Sequence, residues 1–206
     1  MQHASWLAVV PVPAVPELLL HQAEDLQGLW EATDAASPPY WAFPWLGGQA
    51  LARYVLDHPS SVAGLRVLDF AAGSGLVGLA ALRAGAASVL ACDIDPLAAE
   101  VVAANATCND LLVTFTGEDL LDGSVPDVDV VLAGDVVYEA GMAARVLAWL
   151  RSAGVPALLG DPGRSYLPQT GLREVASYDV PTTRELEGVT SKLVRVYEVL
   201  PVGSGG

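Results

Sequence analysis

The sequence predicts an α/β layered domain whose sheet is largely parallel and is closed by an antiparallel hairpin at its C-terminal end. Two observations carry this. From Leu65 onward, short runs rich in β-branched residues alternate with helix-length stretches, the signature of parallel strands joined by crossover helices. Near the C-terminus the rhythm breaks: "REVASYDV" and "SKLVRVYEVL" are strand-like and are separated only by a short polar connection around Pro181 to Thr190, which a hairpin explains most simply.

Taken in order, the N-terminal stretch "MQHASWLAVVPVPAVPELLL" is apolar but broken by Pro11, Pro13 and Pro16, and it lacks a positive n-region, so it fails as a signal peptide. Ser37, Pro38, Pro39 and Pro44 argue against regular structure before a helix over Gln49 to His58, whose apolar spacing is Leu51, Tyr54 and Val55. Strands and helices then follow in turn: "LRVLDF" and Leu76 to Ala84, "SVLACD" and Pro96 to Asn109, "LVTFT", "VDVVLAGD" and Ala140 to Ala153, then "PALLG". The final "GSGG" reads as a frayed tail.

Composition narrows the function. The chain has 206 residues, about half of them apolar, enough for one domain with a substantial core. Its formal charge is −14, with nine arginines and a single lysine, Lys192. That leaves little material for a basic stripe along a phosphate backbone, so nucleic acid is a poor partner. An acidic surface suits a lysine-rich protein segment or a cationic ligand as well as plain solubility. No apolar run reaches the length of a membrane span. Cys92 and Cys108 have no C-x-x-C spacing and read as buried small apolar residues, and three scattered histidines offer no metal cluster. A cytoplasmic setting without a metal follows as the expectation.

The chemistry concentrates in "LRVLDFAAGSGLVGLAAL". It holds a G-x-G-x-x-G string, Gly73, Gly75 and Gly78, preceded by Asp69. In an open α/β sheet, ligands bind outside the carboxyl ends of the strands where the strand order reverses. That places Asp69, Asp93, Asp135 and Asp161 on one rim. A pyrophosphate pressed against the glycine turn would be opposed by Asp69. S-adenosylmethionine inverts the demand, since it carries an ammonium, a sulfonium and a ribose diol but no phosphate. Gly78 falls inside the next helix, where packing on the sheet is the simpler reason for it, and Asp95 before Pro96 reads as a helix N-cap.

"VLDFAAGSG", "LACDIDP", "GEDLL" and "LAGDVVYE" resemble, in this order, the successive motifs of the seven-β-strand class I methyltransferases. More narrowly, "PYWAFPWLGGQALARYVLDHP", "DVVY" and "LLGDPGR" resemble the electron transfer flavoprotein β-subunit lysine methyltransferase family. The resemblance runs from about Pro39 to Tyr166. One departure is Ala71, where the family's loop usually has its first glycine. The resemblance implies a Rossmann-like seven-stranded, mostly parallel sheet with helices on both faces, forming a single methyltransferase domain over residues 1–206. Within it, residues 1–60 would form a loop and helix covering the cofactor site, and 61–200 the core. The implied cofactor is S-adenosyl-L-methionine and the implied partner is a protein substrate, the electron transfer flavoprotein β-subunit.

Residue roles follow from the same resemblance. Asp69 would receive the cofactor amino group, and Gly73 and Gly75 would let the cofactor lie against the turn. Asp93 would take the ribose hydroxyls in charge-assisted hydrogen bonds. Asp119, with Glu118 as its rival, would accept from the adenine amino group while Ile94 and Leu120 sandwich the ring. Trp41 and Trp45 would wall the methionine end, where an aromatic face favours a sulfonium, or else serve as packing. Asp135 and Tyr138 are the expected catalytic pair for the methyl acceptor, although Tyr138 could also be a helix-start packing residue. Asp161 and Arg164 would shape the substrate entrance, unless Arg164 only braces Asp161 or Glu139. A small-molecule N-methyltransferase is the alternative within enzymes, and a non-catalytic cofactor-binding module or an NAD-linked oxidoreductase the alternative outside this class.

Overall fold

The computed structural model describes residues 4–33 and 38–202. Ser37 and the "GSGG" tail lie outside the described residues. Seven strands form one sheet in the order β5-β4-β3-β6-β7-β9-β8. They are β3 (Arg66–Phe70), β4 (Ser88–Cys92), β5 (Thr114–Thr116), β6 (Val130–Gly134), β7 (Ala157–Asp161), β8 (Leu172–Pro181) and β9 (Ser191–Val199). The first five pair in parallel, while β9 runs antiparallel to both β7 and β8. The fold class expected from the sequence is the one observed. From β3 the chain moves outward through β4 to β5 and then returns to the other side of β3 as β6. The order therefore reverses between β3 and β6, and that crevice is where a ligand has room.

Strand periodicity explains how both faces are covered. On one face Val67, Val89, Val130, Leu132 and Leu158 pack under α2 (Leu46–Asp57) and α3 (Leu76–Arg83). On the other, Leu68, Phe70, Val131, Ala133 and Leu159 pack under α5 (Ala140–Arg151), through Val146, Trp149 and Leu150. Alternation along strands buried on both sides gives this division. Phe70 and Trp149 meet with ring centroids 4.9 Å apart. The Trp149 indole N–H reaches the Gly123 carbonyl, so the buried ring leaves no orphan donor. Helix α4 (Pro96–Cys108) follows β4 and is capped by the Asp95 carboxylate on the Leu97 N–H, as its sequence predicts.

Two parts depart from the sequence reading. Helix α2 begins at Leu46 rather than Gln49, with the extended residue Trp45 as its N-cap. The proline-broken N-terminal stretch, where no strands were expected, forms an antiparallel hairpin of β1 (Leu7–Val12) and β2 (Val15–Ala23), followed by α1 (Leu26–Thr33). Prolines survive there because a two-stranded ribbon has free edges on which a missing N–H costs nothing. The hairpin buries Val12, Val15, Leu18 and Leu20 against Ala52, Leu76, Leu79, Ala80 and Ala106, and so adds a third layer outside the helices.

Three buried amide side chains fasten that layer. Asn109 accepts from the Leu19 N–H and donates to the Leu19 carbonyl, at 3.0 and 2.7 Å, occupying the edge of β2 as a neighbouring strand would. Asn105, fully buried, accepts from the His21 N–H and donates to the Ser74 carbonyl. Gln49 accepts from the Ala14 N–H and donates to the Pro44 carbonyl. Each amide satisfies backbone groups whose burial alone would be costly.

Candidate active site

A cavity of about 810 Å³ opens at the carboxyl ends of β3, β4 and β6, a size suited to a cofactor together with the tip of a second molecule. Of the residues singled out in the sequence, Trp41, Trp45, Asp69, Gly73, Asp93, Ile94, Asp119, Leu120, Asp135, Tyr138 and Arg164 line it. Gly75 and Asp161 are not among its lining residues.

The glycine turn between β3 and α3 forms its floor. Ala71, Gly73 and Gly75 all have positive φ, at 52°, 51° and 78°, so the loop reverses tightly, with the Ala72 N–H donating to the Cys92 carbonyl and the Gly75 N–H to the Ala72 carbonyl. Gly75 packs on α4, where an added Cβ would stand 3.2 Å from a Val102 methyl. Gly78 meets the sheet, with Val89 only 2.8 Å from an added Cβ. The Asp93 carboxylate accepts from the Gly73 N–H at 2.7 Å and the Asp95 N–H at 2.9 Å. Asp69 is almost wholly buried and accepts from the Gly78 N–H at 2.8 Å. Burial raises the Asp69 pKa to about 8, against the opposing Gly78 hydrogen bond and with help from the charge of Asp93. Burial raises Asp93 too, partly offset by its backbone donors. Both carboxylates therefore favour a cationic or hydrogen-bond-donating ligand, whose arrival would restore their ionised form.

The opposite wall is built differently. Asp135 sits just beyond β6 with φ 60°, a left-handed conformation rare for a residue with a Cβ. Its N–H donates to the Gly160 carbonyl, and its carboxylate accepts from the Gly47 N–H in the first turn of α2. Glycines make this approach possible: an added Cβ on Gly47 would lie 2.3 Å from the Gly160 carbonyl oxygen, and one on Gly134 would lie 2.6 Å from the Gly48 Cα. The "WLGGQ", "LAGD" and "LLGD" segments thus form a layer of main chain on main chain.

Arg164 takes a partner that the sequence reading did not name, and the alternative of a brace to Asp161 or Glu139 is not what forms. Nε and Nη2 of its guanidinium grip the two Asp135 carboxylate oxygens at 2.7 and 3.0 Å. Nη2 also contacts Glu187 at 3.0 Å, and Lys192 contacts the other Glu187 oxygen at 3.1 Å. Glu187 ends the one-turn helix α6 (Arg184–Glu187) in the β8–β9 connection. Asp161 instead folds its own turn: Oδ1 accepts from the Gly163 and Arg164 N–H groups, while the buried Oδ2 has no partner among the described residues.

Aromatic rings close the remaining side. Tyr40 lies 5.4 Å from Tyr138 and 5.6 Å from Trp45, and the Trp45 indole N–H donates to the Tyr40 carbonyl. Burial first, then neighbouring Tyr40 and carboxylates, pushes the Tyr138 hydroxyl to about 12, so it stays protonated at neutral pH. Asp119 caps the short turn that begins at Leu120, and Glu118 lines the cavity beside it. Cys92 also lines the cavity, but burial raises its thiol to about 12, which makes it a poor nucleophile. Sequence reasoning missed Tyr40, Met142, Arg145 and Glu187. Tyr40 adjoins the Trp41 and Trp45 that were singled out; Glu187 carries no local signal.

The donor set suits S-adenosylmethionine. On the wall formed by the tips of β3 and β4 the charged residues are Asp69, Asp93 and Asp95, all acidic, and the cationic lining residues are Arg145 and Arg164, both elsewhere. A phosphate would meet only negative side chains there. Among the described residues no cluster of metal-ligand type is present, and no helix is long and apolar enough to cross a membrane.

A seven-stranded sheet whose one antiparallel strand, β9, lies between β7 and β8, with an acidic cavity at its switch point, defines a class I methyltransferase. The ribosomal protein L11 methyltransferase (PrmA) family model matches residues 49–139. The electron transfer flavoprotein beta subunit lysine methyltransferase of Xenopus laevis is 36% identical over 200 residues, covering 90% of this chain and 81% of that protein. Its Danio rerio counterpart is 38% identical over 174 residues, covering 79% and 67%. Among solved structures, magnesium protoporphyrin IX methyltransferase (ChlM) from Synechocystis PCC 6803 with bound SAM has the same fold. It matches at TM-score 0.54 and 20% identity, over 71% of this chain and 77% of that one. The chain belongs to the electron transfer flavoprotein beta subunit lysine methyltransferase family and is a protein lysine methyltransferase.

Proposed function

We propose that the chain methylates a lysine of the electron transfer flavoprotein β-subunit, using S-adenosylmethionine. The observation that carries this reading is the division of the cavity: carboxylates without a neighbouring cation at the tips of β3 and β4, facing Asp135 and Tyr138 beyond β6. The names of its relatives supply the substrate, and the chain's charge of −14 favours a basic segment around the target lysine. Two free cysteines, Cys92 and Cys108, suit a reducing cytoplasmic compartment.

In this reading Asp69 receives the amino group of the cofactor, and Asp93 its ribose hydroxyls. Gly73 and Gly75 shape the turn beneath it, Ile94 and Leu120 flank the adenine, and Asp119 accepts from the adenine amino group. Trp41 and Trp45 wall the methionine end. The cofactor supplies an electrophilic methyl group on a sulfonium. Asp135 and Tyr138 orient the acceptor nitrogen, since displacement at carbon is governed by alignment and proximity. Arg164 and Asp161 shape the entrance, Asp161 by fixing the turn that carries Arg164. A lysine side chain with the usual pKa must be presented neutral, at a cost of about 4 to 5 kcal/mol at pH 7.

The test incubates the protein with labelled methyl donor and purified electron transfer flavoprotein. Label on a β-subunit lysine is expected, and label on small amines alone would overturn the substrate. Asp135→Ala should abolish transfer while leaving S-adenosylhomocysteine affinity within a few fold; unchanged turnover would remove Asp135 from the site.

A further inference from the structure

Four charged side chains form a continuous chain beside the acceptor wall: Asp135, Arg164, Glu187 and Lys192, linked by contacts of 2.7, 3.0 and 3.1 Å. They come from four elements: the end of β6, the loop after β7, α6, and β9. Their formal charges cancel. The Asp135 and Glu187 side chains are only 4% and 8% exposed, and that of Arg164 is 21% exposed, so solvent screens these contacts weakly. Asp135 already accepts three hydrogen bonds, two from Arg164 and one from Gly47, which leaves a single vacant lone-pair direction.

A lone carboxylate at this position would hold an incoming lysine as its ammonium and so oppose loss of the proton. A carboxylate already neutralised by a guanidinium does not. Resting on the proposed methylation of lysine, we infer that Arg164 is a positioning residue which, anchored by Glu187, cancels the charge of Asp135, so that the acceptor nitrogen is received as the free amine. Asp135 then contributes one hydrogen-bond acceptor rather than a full counter-ion. The other titratable groups facing this point are Tyr138 and Glu139 after β6, Tyr40 on the turn before α2, Asp161 at the end of β7 and Asp93 across the cavity. Of these Tyr138 stays protonated, and burial pushes Asp161 and Asp93 toward their neutral forms. The amide end of α2 at Gly47 adds a partial positive charge.

The sign of the charge provides the test. The pH dependence of kcat/KM is measured on the full-length protein with electron transfer flavoprotein as substrate, alongside S-adenosylhomocysteine affinity. Arg164→Gln leaves the quartet at −1, so its acid limb should move about one unit to higher pH, with activity recovering in alkaline buffer. Glu187→Gln leaves it at +1, so the limb should move to lower pH. Arg164→Lys keeps the charge and should keep the profile. A merely structural brace would lower the rate by the same factor at every pH in both neutralising variants, and that result would overturn the inference. Should one variant fail to fold, the sign of the other's shift still decides. No label on the β-subunit from the unaltered protein at any pH would defeat the proposed function and this inference with it, whereas an active protein with unshifted variants defeats the inference alone.

Discussion

Replacing Asp69 with asparagine should change how stability depends on pH, in a direction and size that the burial of this carboxyl sets. Asp69 is 1% exposed, and its pKa rises from an ordinary 3.8 to about 8, mainly by burial. Between those values the folded protein holds a proton that the unfolded chain has released. Stability from this group is therefore fully present below about pH 4 and is lost as the pH rises toward 8. Each pH unit inside the window costs about 1.4 kcal/mol, so going from pH 5 to pH 7 removes about 3 kcal/mol through Asp69 alone. Asparagine keeps an oxygen to accept from the Gly78 N–H and cannot ionise. Asp93 and Asp161 titrate with the same sign; both are present in the two proteins, so they cancel in the comparison apart from the coupling between Asp93 and Asp69. Melting curves at pH 5, 6 and 7 should thus diverge, with the wild type falling roughly 6 to 12 °C further than Asp69→Asn. S-adenosylhomocysteine should bind the variant at least tenfold more weakly. Parallel melting curves would refute the claim that Asp69 is buried with a proton it must later surrender.

Other substitutions test the frame around the site. Ala71→Gly, at φ 52°, should gain about 1 kcal/mol by relieving left-handed strain, read as a rise in urea midpoint at constant m-value. Gly160→Ala would set a Cβ 2.1 Å from the Gly47 carbonyl oxygen; overpacking of about 1–3 kcal/mol should lower the melting temperature and, by shifting Gly47, slow transfer. Asn109→Ala strands the N–H of Leu19 and leaves its carbonyl only the weak Cys108 thiol donor. Hydrogen exchange at Leu19 should accelerate, while exchange at strand β3 holds, with a global loss of about 1–3 kcal/mol.

What the sequence disclosed was what its local periodicity encodes. Strands β3, β4, β6 and β7 are buried on both faces and read as dense apolar runs; β3, β4 and β6 are each followed by a helix, and the start of α4 is marked by Asp95 and Pro96. The carboxylates Asp69, Asp93 and Asp135 could be placed on one rim because parallel strands end together. The N-terminal hairpin escaped notice because its prolines mimic a loop and because its anchors, Asn105 and Asn109, act 84 and 90 residues away. The grip of Arg164 on Asp135 was not foreseen for a similar reason. The nearer carboxylate, Asp161, satisfies the turn's backbone amides and leaves the guanidinium free to reach across the sheet end. Glu187, from the far hairpin, has no neighbour in sequence that hints at its role.

The layer in which Gly47 and Gly48 rest directly on Gly134 and Gly160 has a consequence for redesign. A foundation made of peptide groups offers no side chain to enlarge, shrink or recharge, so the depth at which a target residue meets the methyl donor is fixed for any variant that still folds. Altered selectivity has to be sought on the upper walls, at Tyr40 and Met142, where a library can be varied without disturbing the anvil beneath.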